Sequence, residues 1–482
     1  MKTLFILIIF LICGTTLAKS PKYVFFFIGD GMGVSHSEIA EYFVKKTQTK
    51  DNSSFAINHF PVVSIVKTYA TNVDITDSGA AGTALATGHR TNYKHLSVTP
   101  NGERVKTIVE EAIKKGWSTG IITSTKITDA TPAAYMGHHA NRKKENNLAE
   151  QITESGVNFI AGGGLGHFIP RSMNGSLRED EKNLLELMSI KGYTLFTGMR
   201  GWEDFKTLSF LEKQNIFALF SYKKLPFVIN QNESGPSLET IVDKAITCLS
   251  KHKKPFFIMV EGAKIDTAAH KNDLPTTIHE TIAFNKAIQR AVEFYQEHKN
   301  ETLIIVTTDH ETGGLGLGHI KDEKNFNISP ILKAKTTMVD SEHNEHMEYK
   351  GNKKEWFEKI DKYLGLLPFS KTEMKIIKNA MSYDDVYRTK SPLLKTWFQF
   401  TGALNASSRE LGADAPYPRT SIAINRILSA RANVYWTTYG HTASPVPLYA
   451  IGVGARLFSG VMANYEVGRK LAKIMGLDLS QL

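Results

Sequence analysis

The sequence predicts an α/β fold, a three-layer sandwich around a mostly parallel central sheet, with one inserted subdomain. Three observations carry this. Short apolar runs alternate with amphipathic helical stretches over most of the chain. Several runs are almost wholly apolar, as strands covered on both faces must be. One block, residues 320–439, breaks the alternation and is richer in Lys, Glu and Asn. At 482 residues, 42% hydrophobic and 22% charged, the chain has the make-up of a globular protein with a large core, and by length it has room for two or three domains.

The elements follow in order. Residues 1–18 combine Lys2, an apolar stretch from Leu4 to Ile12 and the end Thr16-Leu17-Ala18. That is the pattern of a secretory signal peptide cut after Ala18, and its apolar run is too short to span a bilayer. The expected destination is the periplasm or the medium. A lipid anchor at Cys13 is disfavoured, because Leu11-Ile12 offers no small residue ahead of the cysteine. After cleavage only Cys248 remains, so no intramolecular disulfide can form. Strands are expected at Tyr23–Ile28 and at residues 62–69, 118–123, 157–161, 216–220, 256–260, 303–307 and 448–452. Helices are expected at residues 103–115, 238–251, 275–298 and 460–475. This makes residues 19–319 and 440–482 one α/β domain. Residues 320–439 carry helical patches at 353–364 and 371–381. A structureless loop of that length is rare in a compact domain, so the block reads as a crown or large-loop-like subdomain.

The net charge is +10, and the first 18 residues contribute only Lys2, which leaves +9 after their removal. No Lys/Arg block with interleaved aromatics occurs, which argues against nucleic-acid-specific binding. A positive field draws anionic substrates, although a solvated lysine surface explains the excess equally well.

The chemistry gathers at predicted strand ends. In Thr76-Asp77-Ser78-Gly79-Ala80-Ala81-Gly82-Thr83-Ala84, one serine precedes a run of small residues. A helix starting directly after Ser78 would put its hydroxyl at the positive helix end, where an anion such as a phosphoryl group is favoured. A serine capping an Ala-rich core helix would look the same, so the run decides nothing alone. Asp30 ends the first strand, Glu261 the run 256–260 (with Asp266 and His270 beyond it), and Asp309-His310 the run 303–307. Asp129 and Thr131 follow the run 118–123, and His441 precedes the last strand. Ligands of open α/β sheets bind beyond the C-terminal strand ends. A strand-end Asp is often a cap and a lone His often structural, so the weight lies in the convergence. Asp266 and His270, four apart, share one helical face. Carboxylate with imidazole suits zinc; carboxylate with hydroxyl and water suits magnesium. Zinc beside Ser78 would lower the hydroxyl's pKa and stand in for a general base.

Asp30-Gly31, Thr76 to Ala81, Asp129-Ala130-Thr131-Pro132-Ala133-Ala134, Glu261 to Asp266 with His270, Thr308 to Gly314, and Gly440-His441-Thr442 together resemble the signature set of the alkaline phosphatase family, in family order. The likeness runs from Lys22 to about Ala455, except for residues 320–439, where family members vary. It implies a secreted homodimer that hydrolyses phosphate monoesters to alcohol and inorganic phosphate through a phosphoserine, with two zinc ions and one magnesium ion per chain. By this resemblance Ser78 is the nucleophile, and Arg142, eleven residues after Thr131, grips two phosphate oxygens. Asp266, His270 and His441 form the first zinc site. Asp30, Asp309 and His310 form the second, with Asp30 bridging to magnesium. Thr131 and Glu261 complete the magnesium site, and Asp129 reaches it through water. Thr267 stands where relatives carry Lys, His or Trp, so no cation assists the phosphate from there.

Other motifs carry less. Ala161-Gly162-Gly163-Gly164-Leu165-Gly166 lacks the Gly-Lys-Ser/Thr of a phosphate loop and reads as a glycine-rich connection. His343 and His346 lie among charged neighbours, which favours a solvated face over a metal site. Trp356, Phe357, Tyr363, Trp397, Phe398 and Phe400 suit a small core within the block or a subunit contact. The competing functions are a phosphodiesterase or sulfatase on the same fold, and an exported binding protein with a dead site. Glu261, Thr131 and Arg142 favour monoesters, and no ligand of the set is missing.

Overall fold

The computed structural model describes residues 20–47, 54–231, 234–318, 324–338, 347–388 and 418–479. The expected signal peptide, Cys13, His343, His346, Trp397, Phe398 and Phe400 lie outside the described residues. The strands are β1 (Tyr23–Ile28), β2 (Val62–Lys67), β3 (Ser118–Lys126), β4 (Phe159–Gly163), β5 (Tyr193–Thr197), β6 (Asn215–Leu219), β7 (Phe256–Glu261), β8 (Thr302–Thr307), β9 (Glu311–Thr312), β10 (Leu315–Leu317), β11 (Val434–Trp436), β12 (His441–Thr442), β13 (Val446–Gly452) and β14 (Gly460–Ala463). Ten of them form one sheet in the order β14-β2-β13-β8-β1-β7-β3-β4-β6-β5.

Strand β1 shows why the sheet is central. Its residues are buried from Val24 onward, and alternate side chains enter opposite layers. Phe25 and Phe27 join one hydrophobic cluster with Ile258, Val260, Ile304 and Val306. Val24, Phe26 and Ile28 join another with Phe257, Met259, Leu303 and Ile305. Helices Val34–Thr47, Leu238–Ser250 and Leu274–Glu297 cover the first face. Helices Ser78–Thr87, Ile108–Lys114, Glu145–Glu154 and Asn464–Met475 cover the second. Fully burying each such Phe or Ile contributes about 1.5–3 kcal/mol. Cys248 is buried and unpaired in the first layer.

Every pairing in this sheet is parallel except those of β13, which runs antiparallel to both β2 and β8. The reason is local: the chain enters β13 just after His441, at the end where the parallel strands finish, and so must run back. Three expectations change in detail. Residues 460–463 form edge strand β14, and the helix begins only at Asn464, where Glu466 accepts from Ala463 N at 2.7 Å. The helix expected from residue 103 begins at Ile108, because Thr107 and Glu110 close a capping box there. Strand β5 was not expected: its sequence is half polar, and it pairs on one side only.

Within residues 320–439, helices Ser329–Lys333, Lys353–Leu364, Lys371–Arg388 and Arg419–Arg431 lie over the first face. Their Trp356, Ile360, Leu364, Ile377 and Ile424 continue that layer's hydrophobic cluster. Strand β11 returns to pair antiparallel with β10. No described helix is long and apolar enough to cross a membrane.

Candidate active site

Ser78 is the first residue of helix Ser78–Thr87, one position earlier than a helix beginning behind it. Asp77 is the cap: its Oδ1 accepts from Ala80 N at 3.2 Å and from Lys94 N at 2.9 Å. Because Asp77 serves as the cap, Ser78 Oγ is left to face His310 Nε2 at 3.2 Å.

Asp30, Asp309 and His310 come together behind Ser78. Gly31, at φ +70°, lets the chain turn there; a Cβ on it would lie 2.9 Å from Asp266 Cα. Asp309 Oδ1 accepts from Gly31 N (3.2 Å) and His310 N (3.0 Å). Its Oδ2 lies 3.1 Å from His310 Nε2, and Asp30 Oδ1 lies 3.6 Å from the same nitrogen. Both carboxylate oxygens are buried without a hydrogen-bond partner.

Asp266, His270 and His441 form an adjoining group. His270 Nε2 is 3.1 Å from His441 Nε2 and 3.3 Å from Asp266 Oδ1; His441 Nε2 is 3.7 Å from that oxygen. His310 also reaches this side, with its ring stacked on His441 at 3.6 Å between centroids. The tautomers follow from the partners. His270 Nδ1 faces Tyr439 O at 2.5 Å and His441 Nδ1 faces Thr76 O at 2.8 Å; a carbonyl only accepts, so both Nδ1 atoms carry the proton. Thr312 Oγ1 donates to Asp266 Oδ1 at 2.6 Å, which leaves it to accept from His310 Nδ1 at 3.2 Å. All three Nε2 atoms therefore present lone pairs to one another and to carboxylate oxygens. Such a convergence of acceptors fits a cation, and nitrogen with carboxylate is a zinc-type donor set.

Glu261, at the end of β7, is 1% exposed and accepts from Thr123 Oγ1. Thr131 Oγ1, buried on the helix Ala130–Ala133, stands beside the same carboxylate and has no well-formed hydrogen bond. Carboxylate and hydroxyl oxygens held this way fit a hard cation such as magnesium. Arg142 spreads its fork between two acids, Asp77 Oδ2 at 3.0 Å and Asp129 Oδ1 at 3.1 Å. Asp129 also accepts from Ala130 N (2.9 Å) and Thr125 Oγ1 (3.2 Å).

The electrostatics divide the same way. Burial, then the neighbouring carboxylates, raises Asp30 well above its usual range. Burial and Asp266 raise Asp309 to about 7, and burial with Asp129 and Asp309 raises Glu261 to about 8. Asp266 is pushed up by burial too, but His270, His441 and His310 outweigh it and hold its carboxyl low. Burial lowers His310 and His441, keeping them neutral. Burial opposes ionised Asp129, yet Arg142, Lys224 and Lys126 keep it ionised.

All eleven residues singled out from the sequence thus lie at one end of the sheet in linked groups. Asp77, Thr312 and Thr123 were missed as partners. Asp77 lies inside the Ser78 run, but its contact with Arg142 spans 65 residues, and no local pattern carries it. The run Ala161 to Gly166 is a seat for a neighbouring loop: Gly164 N donates to Lys223 O at 2.6 Å, and a Cβ on Gly163 would lie 2.2 Å from that oxygen.

An α/β sandwich with a serine at a helix start, facing clustered imidazoles and carboxylates, is the arrangement of a hydrolase. Comparison with known proteins narrows this. The family model described as alkaline phosphatase matches residues 21–477. Alkaline phosphatase 4 of Bacillus subtilis (strain 168) is 30% identical over 462 residues, covering 94% of this chain and 88% of its own. The crystal structure of a cold-active alkaline phosphatase from the psychrophile Shewanella sp. superposes with a TM-score of 0.73 at 25% identity, covering 94% of this chain and 99% of the other. A mutant of the alkaline phosphatase from the Antarctic bacterium TAB5, described with magnesium bound, superposes with a TM-score of 0.65 at 25% identity over 96% of this chain and 99% of the other. The chain belongs to the alkaline phosphatase family, and it is a phosphomonoesterase.

Proposed function

We propose that this protein hydrolyses phosphate monoesters through a phosphoserine on Ser78, with two zinc ions and one magnesium ion. The observation that carries the reading is the convergence of three unprotonated Nε2 atoms and the Asp30, Asp266 and Asp309 carboxylates around Ser78. Asp266, His270 and His441 would hold the first zinc, and Asp30, Asp309 and His310 the second. Asp30, Thr131 and Glu261 would hold magnesium, with Asp129 acting through water. Zinc held there would supply Lewis acidity toward the serine hydroxyl and the ester oxygens.

The chain's own residues do the rest. Ser78 Oγ attacks phosphorus in line with the ester bond; the Ser O–P bond forms, the ester P–O bond breaks, and the alcohol leaves with a proton. Water then attacks the phosphoserine, restoring Ser78 and releasing phosphate. Arg142, held in plane by Asp77 and Asp129, presents paired N–H donors to the equatorial oxygens. The N–H groups of Ser78 and Gly79, ahead of the two that Asp77 takes, add to this hold.

The test is hydrolysis of p-nitrophenyl phosphate beside the bis-ester and the sulfate ester, as purified, after chelation, and after zinc and magnesium are restored. Strong monoester preference, lost on chelation and regained with both metals, is the expected result; diester or sulfate preference overturns the substrate class. Ser78→Ala is expected to reduce turnover to background with metal content near normal, and full activity in it would reject Ser78 as nucleophile. The reading extends to an exported chain cut after Ala18, to residues 320–439 as an inserted subdomain, and to a homodimer. Amino-terminal sequencing of the exported protein and light scattering of its mass check the first and last.

A further inference from the structure

Among the described residues, the block 320–439 meets the site at the turn that follows His270. Four groups from it hold four consecutive residues that start with a candidate zinc ligand. Tyr439 O takes the Nδ1 proton of His270 at 2.5 Å. Asn425 Nδ2, from helix Arg419–Arg431, donates to Lys271 O at 3.0 Å. Thr438 O accepts from Asn272 Nδ2 at 2.9 Å. Thr337 Oγ1 donates to Asp273 Oδ2 at 2.5 Å. The contacts are shielded from water: Asn425 is 1% exposed, Asn272 0% and Thr337 0%. Asn272 sits at φ +50°, in the left-handed region, so the turn after His270 is not one the chain adopts freely.

The clamp is itself braced. Trp436 Nε1 donates to Ser429 Oγ at 3.0 Å, tying β11 to helix Arg419–Arg431. Thr437 N and Thr438 N donate to Gly313 O at 3.0 and 3.1 Å, and Gly313 N donates to Gly440 O at 2.9 Å, tying the segment 437–440 to the loop beyond Asp309-His310. Arg426 lies over the Tyr439 ring at 4.9 Å. By contrast Asp266 is oriented from within the α/β core by Thr312, and His441 by Thr76 O. His270 is the member of its group whose imidazole Nδ1 is oriented from the block.

We propose that the arm formed by residues 419–439 is a retention clamp for the ion at Asp266, His270 and His441, with Asn425 and Asn272 as positioning residues. This rests on the two-zinc reading above. The physical argument is that a metal-bound imidazole keeps its ion only while its other nitrogen and its backbone are held in place; loss of such outer contacts typically weakens metal binding about 10- to 100-fold. Asn425→Leu removes the donor to Lys271 O at nearly constant volume. Asn272→Gly removes the bond to Thr438 O and tolerates the positive φ, so it keeps the turn if the first variant fails to fold.

The experiment is zinc release from the loaded, full-length protein into excess chromogenic chelator, followed by stopped flow. In the wild type two zinc equivalents leave. In either variant one equivalent is expected to leave about 10- to 100-fold faster while the other keeps its wild-type rate, and turnover at saturating zinc stays near that of the wild type. Release of both equivalents at wild-type rates overturns the clamp. Equal acceleration of both also overturns it, since that is general loosening. A wild type that takes up no zinc rejects the two-zinc reading itself, a result distinct from the other two.

Discussion

The two halves of the site solve opposite electrostatic problems. On one side, Asp266 is surrounded by His270, His441 and His310, which hold its carboxyl below the usual range. On the other, Asp30, Asp309 and Glu261 are buried, and burial with repulsion from neighbouring carboxylates, Asp266 and Asp129 among them, drives all three up. The histidine half sets one carboxylate among neutral imidazoles, so little like charge is crowded there. The carboxylate half has Arg142 nearby, but that guanidinium is already committed to Asp77 and Asp129. It is therefore the half that depends most on cations from outside. His310 belongs to both, touching Asp309 and Asp30 on one side and stacking on His441 on the other.

The sharpest way to break this comparison is to remove the shared member. His310→Ala is expected to strip zinc from both halves and abolish activity, whereas His270→Ala should lose one ion and keep the other. Zinc per chain by atomic absorption separates the two outcomes; equal losses would mean that the halves are not distinct.

A smaller effect tests the sign of the charge imbalance. The folded, metal-free protein holds protons on Asp309 and Glu261 up to about pH 7 and about pH 8, whereas unfolded carboxyls lose theirs near about pH 4. Between those limits the folded state binds more protons than the unfolded state, so this half loses stability as pH rises. The histidine half has the reverse sign. His310 and His441 are lowered, so the unfolded state binds more protons below about pH 6.5, and their contribution is lost as pH falls. Glu261→Gln in the metal-free protein should therefore raise Tm above wild type at pH 8.5, with the gap closing by pH 5. A pH-independent difference would remove the electrostatic explanation. The smallest change expected is from Asp77→Asn. Asparagine still caps helix Ser78–Thr87 but loses the charge on the Arg142 fork, so KM should rise severalfold with Tm almost unchanged. A large fall in Tm would show that Asp77 acts mainly on the fold.

Much of this molecule is legible in its sequence. The apolar runs at Tyr23–Ile28, 256–260 and 303–307 announce central parallel strands, because a strand covered on both faces buries every side chain and so favours apolar residues on each. Asp30, Glu261 and Asp309-His310 follow those runs directly, so strand position alone brings them to one end of the sheet. The Ser78 run marks a helix start by its small residues. Where local pattern and fold agree in this way, sequence suffices. It was not enough for β5, whose half-polar sequence is acceptable only at a sheet edge, or for residues 460–463, which become a strand because β2 offers them a free edge. Nor could it reveal the direction of β13, which follows from where His441 must leave the chain. The contacts of Asp77 with Arg142, of Thr312 with Asp266 and of Asn425 with Lys271 join residues 65, 46 and 154 positions apart. No period or motif encodes such pairs. The sequence by itself determined which chemical groups stand at the strand ends; tertiary structure alone decided which of them share protons, which repel and which are held, because burial and hydrogen-bond geometry exist only once distant segments have packed.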